Sequence, residues 1–177
     1  MRGDVIWEEN KSMIIPDEET IRKMYDEAGT PCNIIDHMKA VADYQDTLLD
    51  DLEASGISFD RELLRAAALL HDVKRLEKNH AAASAKYVAE SGYPEVAALI
   101  EGHHSPADPA IQSDGLSAAD ILFYADKRVQ GSSIVSVVER FAASAKKCTT
   151  EEAMQKHDAL LERAIKIEKK ISDSLVS

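Results

Sequence analysis

The sequence predicts an all-α domain, a single helical bundle of about seven to eight helices. Apolar residues recur at helical spacing through most segments, as in Leu160, Ala164, Ile167 and Ile171. Proline, glycine and short polar residues fall where helices should begin and end. No period-2 run of strand length stands out, nor does an internal repeat or a low-complexity stretch. A chain of 177 residues suits one domain with a substantial core.

Each element has its own local reason. Pro16 followed by Asp17, Glu18 and Glu19 opens a first helix with acids in its first turn, and Gly29 lies beyond its end. Thr30-Pro31 opens a second, which runs through His37 to about Leu52 and stops near Gly56. Asp60 caps a third that ends around His71-Asp72, and Asn79 caps a fourth that Gly92 terminates. Pro94 stands in the first turn of a fifth, reaching the His103-His104 region. After a loop over residues 105–115, Ser117 caps a sixth that carries Asp126. A seventh covers residues 134–146. Thr149 and Glu152 form a capping box for the last helix. The expected organisation is an N-terminal extension over residues 1–15 and the domain proper over 16–147. An amphipathic helix over 148–177 then packs on the same domain, with a homodimer contact as its alternative use.

Composition narrows the function. Apolar residues make up 45% and charged ones 30%, and the formal charge is −11. So acidic a chain lacks the basic surface that binds a nucleic-acid polymer, while a small anionic substrate stays possible where local cations reverse the field. Cys32 and Cys148 stand far apart and outside any CxxC pattern, which reads as a reduced, intracellular thiol pair. The first residues hold no apolar run long enough for export or anchoring. The expectation is a cytoplasmic protein with no membrane contact.

The chemistry gathers around histidine. Five of the six histidines, His37, His71, His80, His103 and His104, lie in the central part of the chain. His157 falls on the apolar stripe of the last helix and reads as a packing residue. His71-Asp72 closes the apolar run Ala66-Ala67-Ala68-Leu69-Leu70, and Asp126 interrupts Ile121-Leu122-Phe123-Tyr124-Ala125. Polar groups in such runs are costly unless they are paired or ligate something. Each residue alone also fits a satisfied core position or, for Asp126, solvation by Lys127 and Arg128; their concurrence favours a metal. His37, His71, Asp72 and Asp126 make a mixed nitrogen and oxygen set that suits iron or manganese first. Magnesium, cobalt, nickel and zinc are also compatible. His80, His103 and His104 could hold a second ion, with Asp72 bridging.

The ordered set His37, then His71-Asp72, then Asp126 resembles the signature of the HD-domain metal-dependent phosphohydrolases. Ala67-Ala68-Leu69-Leu70-His71-Asp72-Val73-Lys74 is similar to the family's apolar helix ending in HDxxK, and the resemblance covers roughly residues 20–145. Two branches are similar. In the bacterial HD enzymes that hydrolyse diadenosine tetraphosphate symmetrically at a dinuclear iron centre, an HAxxGA motif resembles His80-Ala81-Ala82-Ala83-Ser84-Ala85. In HD domains fused to a molybdenum-cofactor nucleotidyltransferase-like domain, the likeness lies around Ala125-Asp126-Lys127-Arg128-Val129-Gln130-Gly131.

The resemblance implies hydrolysis of a phosphomonoester or phosphoanhydride by a metal-activated water. The substrate would be a nucleotide or dinucleoside polyphosphate, and one or two divalent ions would serve as cofactor. Asp72 and Lys74 would be catalytic, with Lys74, Arg75, Lys127 and Arg128 available to substrate phosphate. The alternatives are a non-catalytic HD module that binds a nucleotide or a partner protein, and an oxidative cleavage on the same scaffold.

Overall fold

A computed structural model of the chain describes residues 13–102 and 115–176. Among these residues are eight helices and one short hairpin: α1 (Glu18–Ala28), α2 (Cys32–Ala54), α3 (Arg61–Leu70), α4 (His80–Glu90), α5 (Pro94–Gly102), α6 (Ala118–Lys127), β1 (Val129–Gln130), β2 (Ser133–Ile134), α7 (Val137–Ala145) and α8 (Glu151–Val176). The all-α fold class expected from the periodicity is the one observed. No helix of the described residues is long and apolar enough to cross a membrane.

Capping chemistry sets most boundaries. The Asp17 carboxylate accepts from the Thr20 N–H at 2.8 Å, and Gly29 closes α1 at a φ of 65°, where only glycine avoids a Cβ penalty. Asp60 caps α3, and Ser117 with Asp120 forms a reciprocal capping box on α6. Four sequence expectations differ in detail. α3 stops at Leu70, and the chain after it runs through successive i→i+3 turns, with bonds Val73 N–H to Leu70, Arg75 N–H to Asp72 and Glu77 N–H to Lys74. Asn79 stands at the α4 N-cap, but its side chain makes no capping bond. The last helix is capped by Thr150, whose hydroxyl accepts from the Ala153 N–H at 3.1 Å, one residue beyond the expected Thr149. Residues 129–134 form a hairpin, and α7 starts at Val137 behind the Ser136 cap. Strands of two residues are too short to show any periodicity.

The core sits between α2, α3 and α6. α3 buries Leu64 and every residue from Ala66 to Leu70, while α6 buries every residue from Asp120 to Lys127. Helices apolar on all sides belong at the centre of a bundle. α2 packs across both, α5 covers α3, and α4 packs on α5. α8 lies over α6 and α7 and adds Ala164, Ile167 and Ile171 to the same core. Its largest buried side chain is Arg163, whose guanidinium stacks 4.2 Å from the Phe123 ring centroid. It also donates to the Asp120 carboxylate at 3.4 Å and to the Gly102 carbonyl at 3.4 Å. One residue thereby ties α8 to the start of α6 and the end of α5.

Two stability predictions follow from buried polar groups. Replacing Arg163 with Leu leaves the Asp120 carboxylate buried without its cation, a loss of about 3–5 kcal/mol; chemical denaturation of the variant should show a lowered midpoint. Gln45 is fully buried, and neither its amide oxygen nor its nitrogen has a hydrogen-bond partner. Gln45→Leu should therefore stabilise the fold by about 1–3 kcal/mol, read as a raised Tm. A lowered Tm would show that the amide is satisfied in solution.

Candidate metal centre

The end of α3 creates the site. The last carbonyls of a helix have no partner within it. Here the Ala68 carbonyl accepts from His71 Nδ1 at 2.8 Å, the Leu69 carbonyl from the Tyr25 hydroxyl at 2.7 Å, and the Leu70 carbonyl from the Val73 N–H at 3.1 Å. The Thr30 hydroxyl donates to the Val73 carbonyl at 2.8 Å, and the Lys74 N–H donates to the buried Ser84 hydroxyl at 3.0 Å. The turn that carries His71 and Asp72 is thus fastened to α1, to the α1–α2 linker and to α4.

His37 reaches the same place from α2. Its Nδ1 donates to the Gly131 carbonyl at 2.8 Å. Gly131 stands at a φ of 60° in the two-residue loop of the hairpin, and among the described residues only glycines have positive φ, so Ser132 does not, the pattern of a type II′ turn. A carbonyl can only accept, so both imidazoles carry their proton on Nδ1 and turn Nε2 inward. His37 Nε2 lies 3.1 Å from Asp126 Oδ1, and His71 Nε2 lies 3.6 Å from Asp126 Oδ1 and 3.8 Å from Asp72 Oδ2. His37, His71 and Asp72 each offer a ligand atom within 4.8 Å of the others. Asp126, from the end of α6, stands against both imidazoles.

This arrangement suits a cation. With Nδ1 protonated, each Nε2 needs either a second proton or a metal ion in order to face a carboxylate. Asp72 Oδ1 is also buried and accepts no hydrogen bond, a cost of about 1–3 kcal/mol that coordination would relieve. His71 is fully buried, and Asp72 and Asp126 are only 4% exposed, so little water reaches these charges. The site residues shift one another accordingly. Burial works to raise Asp126, but the Lys127 ammonium at 2.5 Å and the two imidazoles hold its carboxyl well below the usual range. Burial likewise opposes the ionised Asp72, while His71 and Arg75 keep its pKa low. Burial works to lower His71, yet Asp72 and Asp126 outweigh it and raise the pKa.

The remaining expected residues divide. His80, at the start of α4, places Nε2 3.5 Å from Asp72 Oδ1, and Arg75 puts one guanidinium nitrogen 2.8 Å from His80 Nε2 and 3.2 Å from Asp72 Oδ2. Burial and the Arg75 charge lower the His80 pKa, favouring a neutral imidazole beside Asp72. A cavity of about 310 Å³ opens over the centre, and its wall includes His37, Asp72, Arg75, His80, Asp126 and Lys127. Lys74 and Arg128 do not line it. The Lys74 ammonium lies 4.8 Å from the Tyr87 ring centroid and 3.8 Å from Glu77. Arg128 donates to the Val135 carbonyl at 2.7 Å and to the hydroxyls of Tyr44 and Tyr124 at 2.9 and 2.7 Å, a bracing role for the hairpin. His103 and His104 lie outside the described residues. His157 Nε2 donates to the Phe141 carbonyl at 3.0 Å and lies 3.1 Å from Ser144 Oγ, with its ring edge-on to Phe141, joining α7 to α8.

Sequence reasoning missed two cavity cations, Arg140 and Lys147, which also line its wall. Arg140 lies on α7 and Lys147 in the turn just past its end, and lone cations of this kind are common on protein surfaces, so nothing in the sequence marked them.

Comparison with known proteins agrees with this geometry. The HD domain family model matches residues 34–171, from the first turns of α2 to the last turns of α8. An uncharacterized protein of Methanocaldococcus jannaschii is 33% identical over 75 residues, 41% of this chain. The chain spans 44% of that relative's length. No solved structure matches the chain. With most of its length matched, the chain belongs to the HD domain family, and its His37, His71 and Asp72 form a group that could hold a metal ion.

Proposed function

We propose that the chain hydrolyses a phosphomonoester or phosphoanhydride, with nucleotides and dinucleoside polyphosphates as its substrates. The observation that carries this reading is the convergence of two carbonyl-anchored imidazoles and two buried carboxylates beneath a cation-lined cavity. A divalent ion bound there would lower the pKa of a water and neutralise phosphate oxygens. His37, His71, Asp72 and Asp126 are its ligands in this proposal, and the nitrogen and oxygen set favours iron or manganese. Asp72, the residue shared between the imidazole pair and His80, holds the centre together.

The surrounding residues then act on the substrate. Arg75 and Lys127 stand at the cavity wall beside the carboxylates, where each can donate a hydrogen bond to a phosphate oxygen. His80 orients Arg75 through their 2.8 Å contact. The low exposure of Asp72 and Asp126 keeps bulk water from screening these charges. The likeness of residues 80–85 to the diadenosine-tetraphosphate branch supports dinucleoside polyphosphates as the first class to assay. The likeness around residues 125–131 to the molybdenum-cofactor-associated branch keeps mononucleotides beside them.

Elemental analysis of purified protein should find iron or manganese, and phosphate or a nucleotide should be released from one of these classes. Asp72→Ala should lose the ion and at least about 1,000-fold in kcat/KM, ~4 kcal/mol of barrier. An unchanged rate in that variant would overturn the assignment, and bound metal without turnover on any substrate would favour a non-catalytic HD module. Ion binding should also depend on pH. Both imidazoles ligate in neutral form, and His71 keeps its proton to a higher pH than usual, so affinity falls as pH drops. Mn²⁺ titration followed by electron paramagnetic resonance should give binding about tenfold tighter or more at about pH 8 than at about pH 6. Equal affinities would show that the imidazoles are not ligands.

A further inference from the structure

The cavity over the metal centre shares a wall with a second one. A crevice of about 390 Å³ runs between α7 and α8, and Lys127, Arg140 and Lys147 line both it and the 310 Å³ cavity. Both volumes fall within the ~300–1,000 Å³ typical of small-molecule sites. The two spaces differ in chemistry. The first is lined by His37, His80, Asp72 and Asp126, whereas the second is walled by Phe141, Ala153 and Leu160, with the His157 ring edge-on to Phe141 at 5.2 Å.

The cations that line the cavity differ in their partners. Arg75 is paired with Asp72, Lys127 with Asp126, and the α8 lysines Lys156, Lys166 and Lys169 with acids one helical turn away. Among the described residues, neither Arg140 nor Lys147 has an ion pair, in a chain whose formal charge is −11. Arg140 is held in place nonetheless, because its Nε donates to the Val129 carbonyl at 3.1 Å. Two unneutralised cations on the wall of a buried acidic centre, where acids are plentiful elsewhere, select for an anion supplied from outside. Arg75 and Lys127 already flank the position of a phosphate at the centre, so this second pair answers a second one. Beyond it the apolar crevice has the shape and chemistry for a flat organic group.

We propose that Arg140 and Lys147 form a second anion subsite and that the α7–α8 crevice holds the organic part of the substrate. The chain then takes an organic diphosphate, with one phosphate at the metal centre, the next on this cation pair, and a flat, largely apolar group beyond. This deepens the phosphohydrolase reading and rests on it. It also makes α8 part of the specificity machinery, through Ala153 and Leu160.

Binding by the Mn²⁺-loaded full chain, measured by calorimetry with probes that are not turned over, tests this apart from catalysis. The probes are α,β-methylene-ADP, AMP and methylenediphosphonate, which respectively carry both features, lack the second phosphate, and lack the organic group. Wild-type protein should bind α,β-methylene-ADP about tenfold or more tightly than either of the others, given about 1.4 kcal/mol per tenfold step. Arg140→Gln with Lys147→Gln should remove most of the preference over AMP. Ala153→Trp, which fills the crevice, should narrow the preference over methylenediphosphonate, with thermal melts checking that both variants fold. Equal wild-type affinity for α,β-methylene-ADP and AMP, no binding of the former, or an unaffected double variant would overturn the proposal. The expected binding pattern in a protein that hydrolyses nothing would remove the hydrolase reading and leave the subsites standing.

Discussion

Two hydrogen bonds that point away from the centre govern it: His37 Nδ1 to the Gly131 carbonyl, and His71 Nδ1 to the Ala68 carbonyl. Each fixes a tautomer and a ring orientation, and together they turn both Nε2 atoms onto one spot between Asp72 and Asp126. Both acceptors exist for reasons of backbone geometry. Ala68 has a carbonyl to offer because α3 ends two residues later, and Gly131 has one because a glycine turn lifts it out of the short hairpin. Had α3 continued, its own backbone would have taken that carbonyl and His71 would have lost its anchor.

The same economy of local endings extends outward. The Leu69 carbonyl engages Tyr25 and the Val73 carbonyl engages Thr30, so the turn that bears Asp72 is bound to α1 and the linker after it. Burial pushes the Tyr25 phenol pKa upward, which keeps it a donor across the ordinary pH range. On the opposite side, Arg163 carries α8 onto α6, and α6 in turn delivers Asp126 and Lys127. The charge that the chain carries as a whole is reversed locally. A protein with a net charge of −11 gathers Arg75, Lys127, Arg140 and Lys147 around one cavity. Such focusing favours a small anion at this cavity within an otherwise acidic chain.

Much of the fold was legible in the sequence because helix termini are chemically local. Asp17, Gly29, Asp60 and Ser117 all act where their residue types favour, and the α8 stripe faces the core at the predicted spacing. What escaped notice depended on contacts between distant segments. The hairpin is two residues per strand, and its importance lies in a carbonyl that binds a histidine 94 positions away. His71, Asp72 and Asp126 stood out as polar residues placed in apolar runs, a conflict with local propensity that usually marks function. Lys74 and Arg128 carry the same charge as the cavity cations, and only the fold distinguishes an arginine braced by two tyrosines from one at a cavity wall. Arg140 and Lys147 had no such conflict to announce them, since cations on helices and in the turns after them are commonplace.

The central claim is that both imidazoles aim Nε2 at a single cation position. Anomalous diffraction from a Mn²⁺-containing crystal, collected at the manganese edge, tests it most directly. The account predicts an anomalous peak about 2.0–2.3 Å from His37 Nε2 and His71 Nε2, with oxygens of Asp72 and Asp126 completing the shell. An ion bound elsewhere, or one at this position with either imidazole turned away, would contradict it.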